Sequence, residues 1–302
     1  MGTLFVILGP TGVGKTDISL SVAKELGCAI ISSDSRQIYS ETSIGTAKPS
    51  DEELTIAKHY FISTRSITEH YSSGQYELDA LPIIKSEIEK SNCALLVGGS
   101  MLYIDAICKG IDDIPTIEDD VRRSVVELYD EVGLEGIRAQ LKLLDPEHYN
   151  RVDLCNAKRI MHALEVCIQT GKPISSIHTG ESKTREFEIV KIGLTRPREE
   201  LYERINQRVD IMISDGLEDE AKGLLPHKDL NALNTVGYKE LFNYFNGEWT
   251  RDYAIEMIKQ NSRRYAKKQL SWFNRDKTIT WFHPDEKTEI LKFINSHICS
   301  QR

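Results

Sequence analysis

Residues Gly9-Pro10-Thr11-Gly12-Val13-Gly14-Lys15-Thr16 follow directly on the apolar run Leu4-Phe5-Val6-Ile7-Leu8. They match the phosphate-loop pattern G-x-x-x-x-G-K-[ST] at every fixed position. The five apolar residues read as a buried parallel strand. Ile18, Val22, Ala23 and Leu26 then recur at helical spacing, and Gly27 closes the helix. A plain glycine turn is the competing reading, and the joint fit of pattern and context argues against it. Glycines let the backbone pass close to a phosphate chain, so that its N–H groups and the helix N-terminus point at negative charge. Lys15 adds a mobile cation, and the Thr16 hydroxyl suits a Mg²⁺ ion. The expected fold is α/β, a P-loop NTPase-like parallel-sheet core. Which phosphates the loop holds stays open at this point.

A second strand, Cys28 to Ser33, runs into Asp34-Ser35-Arg36-Gln37-Ile38-Tyr39. Ligands of open parallel sheets sit beyond the carboxyl ends of the strands, which puts Asp34 on the edge that carries the phosphate loop. A lone aspartate is usually a cap or turn residue; its place beside a phosphate site favours a functional role. A loop-like stretch, Ile44-Gly45-Thr46-Ala47-Lys48-Pro49, follows, then the short apolar piece His59 to Ile62 and a helix from about Tyr76 to Ser91.

The third clear strand, Cys93 to Val97, ends in Gly98-Gly99-Ser100. A P-loop enzyme that hydrolyses nucleotides would carry an acidic residue there. Its absence counts against a motor or switch ATPase. Two glycines permit close backbone approach to a ligand, and Ser100 can donate or accept a hydrogen bond.

From about Asp112 the strand signals stop. Helical patterns run through Val121 to Glu131, Leu134 to Leu144 and Asn156 to Thr170, until a strand returns at Glu188 to Leu194. The expected organisation is a core over residues 1–112 and 186–302, with a helical insertion domain at 113–185. Arg196, Arg198, Arg204 and Arg208 mark a long helix ending near Gly216. Arg204 and Arg208 share a face, where a solvated ion-pair face is the competing reading. The closing helix, about Tyr253 to Asn274, carries Lys259, Arg263, Arg264, Lys267 and Lys268. Such a cluster in a chain of net charge −8 points to a polyanionic partner. A last strand at Thr278 to Phe282 and a helix at Asp285 to His297 complete the chain.

Composition narrows the class. No apolar run approaches membrane-spanning length, and the start lacks the shape of a signal peptide. The six cysteines are scattered without a C-x-x-C pair, and His297 with Cys299 supplies only two possible ligands. Reduced thiols in a cytoplasmic protein without a zinc site are expected. A monomer is the default expectation.

The ordered motifs resemble those of the bacterial tRNA dimethylallyltransferases over nearly the whole length. They are residues 9–16, 34–39, 44–49 and 97–103, then Lys158-Arg159-Ile160 leading to Ala163-Leu164-Glu165-Val166, Arg204 to Asp210, Val236-Gly237-Tyr238, and Ala266 to Phe273. Two departures are mild: Ser100 stands where many members have Thr, and Lys268 where Arg is common, which loses bidentate geometry. The C-terminal zinc finger of eukaryotic relatives is missing. The resemblance implies transfer of a dimethylallyl group from dimethylallyl diphosphate to N6 of the adenosine at position 37 of tRNA, beside the anticodon. It implies that residues 9–16 hold the diphosphate, with Mg²⁺ at Thr16. Asp34 would accept the N6 proton, while Lys15, Thr16 and Arg208 stabilise the leaving group. Asp34, Ser35, Arg36, Gln37 and Ser100 would meet the acceptor base. Arg122, Lys158 and Arg159 of the insert would grip the anticodon stem-loop. Competing readings are an adenylate isopentenyltransferase acting on free AMP or ADP, a small-molecule kinase with ATP in the loop, and a non-enzymatic RNA-binding module. The insert and the basic segments favour tRNA over a mononucleotide, and Asp34 favours an enzyme.

Overall fold

A computed structural model describes residues 2–112, 114, 117–177, 180 and 182–299, apart from the side chain of Cys299. The chain forms two compact units, Met1–Cys108 with Arg185–Arg302, and Lys109–Thr184. The expected insert opens at residue 113, which lies outside the described residues, as does the thiol of the His297–Cys299 pair.

In the first unit β1 (Thr3–Leu8) leads through the glycine loop into α1 (Lys15–Leu26). Next come β2 (Ile30–Ser33), α2 (Asp51–Ile56), β3 (His59–Tyr60), α3 (Ser73–Ser91), β4 (Cys93–Gly98) and α4 (Met101–Lys109). The second unit contains α5 (Asp119–Leu144), α6 (Pro146–Tyr149), α7 (Ala157–Thr170) and α8 (Ile174–Ile177). The chain then returns to the first unit with β5 (Glu188–Leu194), α9 (Arg198–Ser214), α10 (Leu217–Leu224), α11 (Tyr238–Phe245), α12 (Arg251–Phe273), β6 (Ile279–Phe282) and α13 (Lys287–Cys299).

The sheet is parallel in every pairing, with strand order β3-β2-β4-β1-β5-β6. Side chains alternate along each strand, so both faces of β1 must be covered. Leu4, Val6 and Leu8 enter one hydrophobic cluster, while Phe5 and Ile7 enter the other. Burial on both faces is why the strand reads as an unbroken apolar run. Each such side chain contributes about 1.5–3 kcal/mol on leaving water.

Periodicity locates the long elements, and local chemistry sets their ends. The helix expected from Tyr76 begins at Ser73, because the Ser72 hydroxyl accepts the Gln75 N–H at 3.1 Å. The two helices expected around residue 133 lie within α5, broken at Gly133, whose φ of 64° and ψ of −169° are non-helical. The short helices α2, α4, α6, α8, α10 and α11 are additional to the predicted helical patterns.

Just ahead of β5, Arg185 donates to the carbonyls of Ala106 and Ile107 at 2.6 and 2.8 Å and pairs with Glu77 at 2.7 Å. Both charged side chains are buried, and removing one partner of such a pair costs about 3–5 kcal/mol. The second unit has its own core, in which Val125, Ile137 and Leu141 of α5 meet Ile160, Ala163 and Leu164 of α7.

Candidate active site

The loops that leave β1, β2 and β4 meet at one edge of the sheet, around a cavity of ≈ 1070 Å³. Thr11, Gly12, Gly14 to Thr16, residues 34–37, Ser100 and Arg208 all line it. Gly9, Pro10 and Val13 belong to the loop without lining the cavity.

The phosphate loop owes its shape to Gly12 (φ 78°) and Gly14 (φ 106°), a left-handed backbone that other residues adopt only under strain. The N–H groups of Gly12 and Gly14 have no hydrogen-bond partner among the described residues. With the first N–H groups of α1 they form an anion-binding edge. Three arginines hold the loop from outside. Arg196 Nε donates to the Val13 carbonyl at 2.9 Å and Arg204 Nε to the Gly12 carbonyl at 3.1 Å. Arg208 Nη1 reaches the Thr11 hydroxyl at 3.4 Å. The shared face of Arg204 and Arg208 is therefore turned to the phosphate loop, while Glu200 pairs with Arg196.

Lys15 Nζ donates to the carbonyls of Gly9 and Pro10 at 3.0 and 2.9 Å. Burial lowers its pKa to about 8; Asp34 opposes the shift and Arg208 adds to it. Burial also lowers the pKa of Arg208, again against the pull of Asp34. Lys15 and Arg208 thus both lie within electrostatic reach of one carboxylate. A bound diphosphate favours the charged lysine, so above pH ~8 binding must take up a proton. The affinity advantage of the wild type over Lys15→Ala for inorganic diphosphate is expected to shrink as pH rises from about 7 to about 10. Dividing by the variant cancels the titration of diphosphate itself. A constant advantage in calorimetric titrations would mean that Lys15 keeps its charge.

Asp34 uses one oxygen to build its own turn. Its Oδ1 accepts the N–H groups of Arg36 at 2.8 Å and Gln37 at 3.3 Å, and Oδ2 has no hydrogen-bond partner among the described residues. Its neighbours are committed to the protein. Ser100 Oγ accepts the Ser35 N–H at 2.8 Å and donates to Ser35 Oγ at 3.1 Å. Arg36 Nη1 donates to the carbonyls of Asn231 and Ala232. Gln37 Nε2 donates to those of Thr46 and Ala47. What remains for a ligand is Gln37 Oε1, the Ser35 hydroxyl proton and the other guanidinium N–H groups of Arg36.

Loop 43–47 is clamped in turn by α10. Glu220 Oε2 accepts the N–H groups of Ser43 and Ile44, both at 2.8 Å. Its Oε1 accepts the Gly45 N–H at 2.9 Å and the Tyr238 hydroxyl at 2.6 Å. A Cβ on Gly45 would stand 2.7 Å from the Tyr238 ring, which is why glycine is needed there. Glu220, Tyr238 and Gln269 carry no assigned role in the sequence reading, although Tyr238 and Gln269 fall inside quoted motifs. Tyr265 of α12 lines the cavity too; burial and Asp34 push its hydroxyl up to about 12, so it stays a donor.

In the second unit Lys158 and Arg159 are exposed at the start of α7, where the helix dipole disfavours cations. Arg122 is half-buried, with Nε 3.4 Å from the Ile117 carbonyl.

The IPP transferase family matches residues 37–276. This chain belongs to that family. An IPP transferase relative from Phocaeicola vulgatus, named tRNA dimethylallyltransferase 1, is 54% identical over 97% of this chain and 98% of its own length. One of the same name from Bacteroides fragilis is 53% identical over 98% of each chain. Among solved IPP transferases, the full-length tRNA isopentenylpyrophosphate transferase of Bacillus halodurans superposes with a TM-score of 0.72 at 35% identity, covering 98% of this chain and 96% of that one. A eukaryotic dimethylallyltransferase described as acting on tRNA gives a TM-score of 0.78 at 25% identity, covering 90% of this chain and 70% of its own. The P-loop NTPase-like α/β fold is that of these neighbours. No helix among the described residues is long and apolar enough to cross a membrane.

Proposed function

We propose that this protein is a tRNA dimethylallyltransferase, moving a dimethylallyl group from dimethylallyl diphosphate to N6 of the adenosine at position 37 of tRNA. The observation that carries the reading is the common cavity of the phosphate loop and Asp34, in which Lys15 and Arg208 both feel the Asp34 carboxylate. The printed names of the relatives and structural neighbours support the acceptor.

In the reaction a bond forms between adenine N6 and the terminal allylic carbon, while that carbon's bond to the diphosphate oxygen breaks. The electron pair leaves with diphosphate. The N–H edge of the loop, Lys15 and Arg208 offset its developing charge. An exocyclic amine is a weak nucleophile, and Asp34 Oδ2 accepts its proton as the bond forms. An allylic centre with cationic character must be kept from water, so the acceptor base is expected to cover the cavity when it binds. The adenosine leaves its stack to reach the cavity.

The donor set suits magnesium. Thr16 presents an exposed hydroxyl from the first turn of α1 at the cavity wall, a hard oxygen beside the expected diphosphate. Thr16 would hold such an ion together with the phosphate oxygens of the substrate and water, without a dedicated all-protein cage. Bound there, it would supply charge neutralisation for the leaving diphosphate. The protein is proposed to act in the cytoplasm, as a monomer.

The deciding experiment incubates the purified protein with dimethylallyl diphosphate, Mg²⁺ and tRNA, followed by mass spectrometry of the tRNA nucleosides. Modified adenosine in tRNA, with diphosphate released, is expected. Modification of free AMP or ADP instead of tRNA would point to the mononucleotide acceptor, and stoichiometric ATP consumption to a kinase.

A further inference from the structure

Gln269 of α12 is 2% exposed and bonded at both ends of its amide to distant backbone. Its Oε1 accepts the Thr11 N–H at 2.9 Å, and its Nε2 donates to the Gly99 carbonyl at 2.8 Å. The orientation of the amide follows from its partners, since an N–H needs an acceptor and a carbonyl needs a donor. The neighbouring backbone is shaped around it: a Cβ on Gly99 would lie 2.5 Å from Gln269 Nε2.

We propose that Gln269 is a positioning residue that ties the phosphate loop to the Gly99–Ser100 turn, and through Ser100 to the segment carrying Asp34. The tie runs from Thr11 to Gln269, to Gly99, along one peptide to Ser100, and across to Ser35, the residue after Asp34. It rests on the transfer reaction proposed above, in which the phosphate loop holds the donor and Asp34 meets the acceptor. The two substrates come from opposite ends of this tie, and a misplacement of the reacting atoms by about an ångström can slow transfer about 10²-fold. Gln269 holds no reacting atom; it fixes the separation of the groups that do. Glutamine suits the position because it offers one acceptor and one donor without charge. A Cβ on Gly99 would also stand 3.5 Å from Lys15 Nζ, so the surroundings already hold a cation.

The test compares wild type with Gln269→Met, which keeps the bulk and removes both bonds, and Gln269→Glu, which keeps the acceptor for Thr11 and offers no donor to Gly99 when ionised. Gln269→Met should slow single-turnover transfer at saturating substrates about 10- to 100-fold, with tRNA affinity unchanged. Hydrogen–deuterium exchange should quicken in peptides covering residues 9–14, 34–37 and 98–101. Gln269→Glu should quicken exchange at 34–37 and 98–101 and leave 9–14 protected. A packing role alone would loosen only α12, so that outcome overturns the proposal, as would a wild-type rate in Gln269→Met. Should Gln269→Met fail to fold, the exchange pattern of Gln269→Glu decides. Wild type that transfers nothing to tRNA would defeat the functional reading, and the exchange patterns would still judge the tie.

Discussion

Asp34→Asn is expected to slow single-turnover transfer about 10²–10⁴-fold, the usual worth of a positioned general base. The substitution is well chosen because asparagine retains an oxygen for the Arg36 and Gln37 N–H groups, so the turn survives. What it removes is Oδ2, the oxygen left for the N6 proton. Affinity for tRNA should stay at the wild-type level, measured by filter binding in parallel. A transfer rate close to wild type would take Asp34 out of the base role and direct attention to another acceptor.

Excising residues 109–184 should abolish transfer to tRNA while the remaining protein still binds dimethylallyl diphosphate. The structure makes the excision practical. The Lys183 N–H donates to the Lys109 carbonyl at 2.7 Å, so the two ends of the segment meet, and Arg185 is already bound to the carbonyls of Ala106 and Ile107. A short glycine linker from Cys108 to Arg185 suffices, with folding confirmed first by circular dichroism. The segment holds ten Lys and Arg against fourteen Asp and Glu, a net charge of −4. Its contribution cannot come from overall attraction to RNA. The proposed contribution rests instead on placed cations, Lys158 and Arg159, which sit where the dipole of α7 disfavours them and an RNA phosphate would relieve them. Undiminished transfer to tRNA by the shortened protein would refute this role and revive the mononucleotide reading.

Much of the frame is legible in sequence because its signals are local. The phosphate loop declares itself in eight consecutive residues, and β5 runs from Glu188 to Leu194, the bounds its strand pattern predicts. Gly133 shows the same economy, since two helical patterns meet at a residue able to interrupt them. Partnerships across the fold are illegible for the converse reason. Gln269 and Thr11 are 258 positions apart, and nothing near either names the other. Ser100 reads as a hydroxyl free to meet a base, yet its oxygen serves Ser35, 65 positions away. The arginines of α9 fit a solvated face equally well until β5 brings them against the loop. Short helices such as α10 and α11, eight residues each, escape because an apolar face of two turns is too brief to stand out from a loop.

The carboxylate of Glu220 plays toward residues 43–45 the part that a bound anion plays in a nest of amides, and it is built in. Ordering a backbone residue costs about 1–2 kcal/mol, so fixing residues 43–47 on arrival of a substrate would cost on the order of 5–10 kcal/mol. A micromolar complex is worth only about 8 kcal/mol. A floppy loop there would consume most of such an affinity before any contact with the acceptor counted. By settling that entropy during folding, Glu220 and Tyr238 give Gln37 a rigid seat and, in the proposed reaction, leave the energy of association for lifting a base out of its stack.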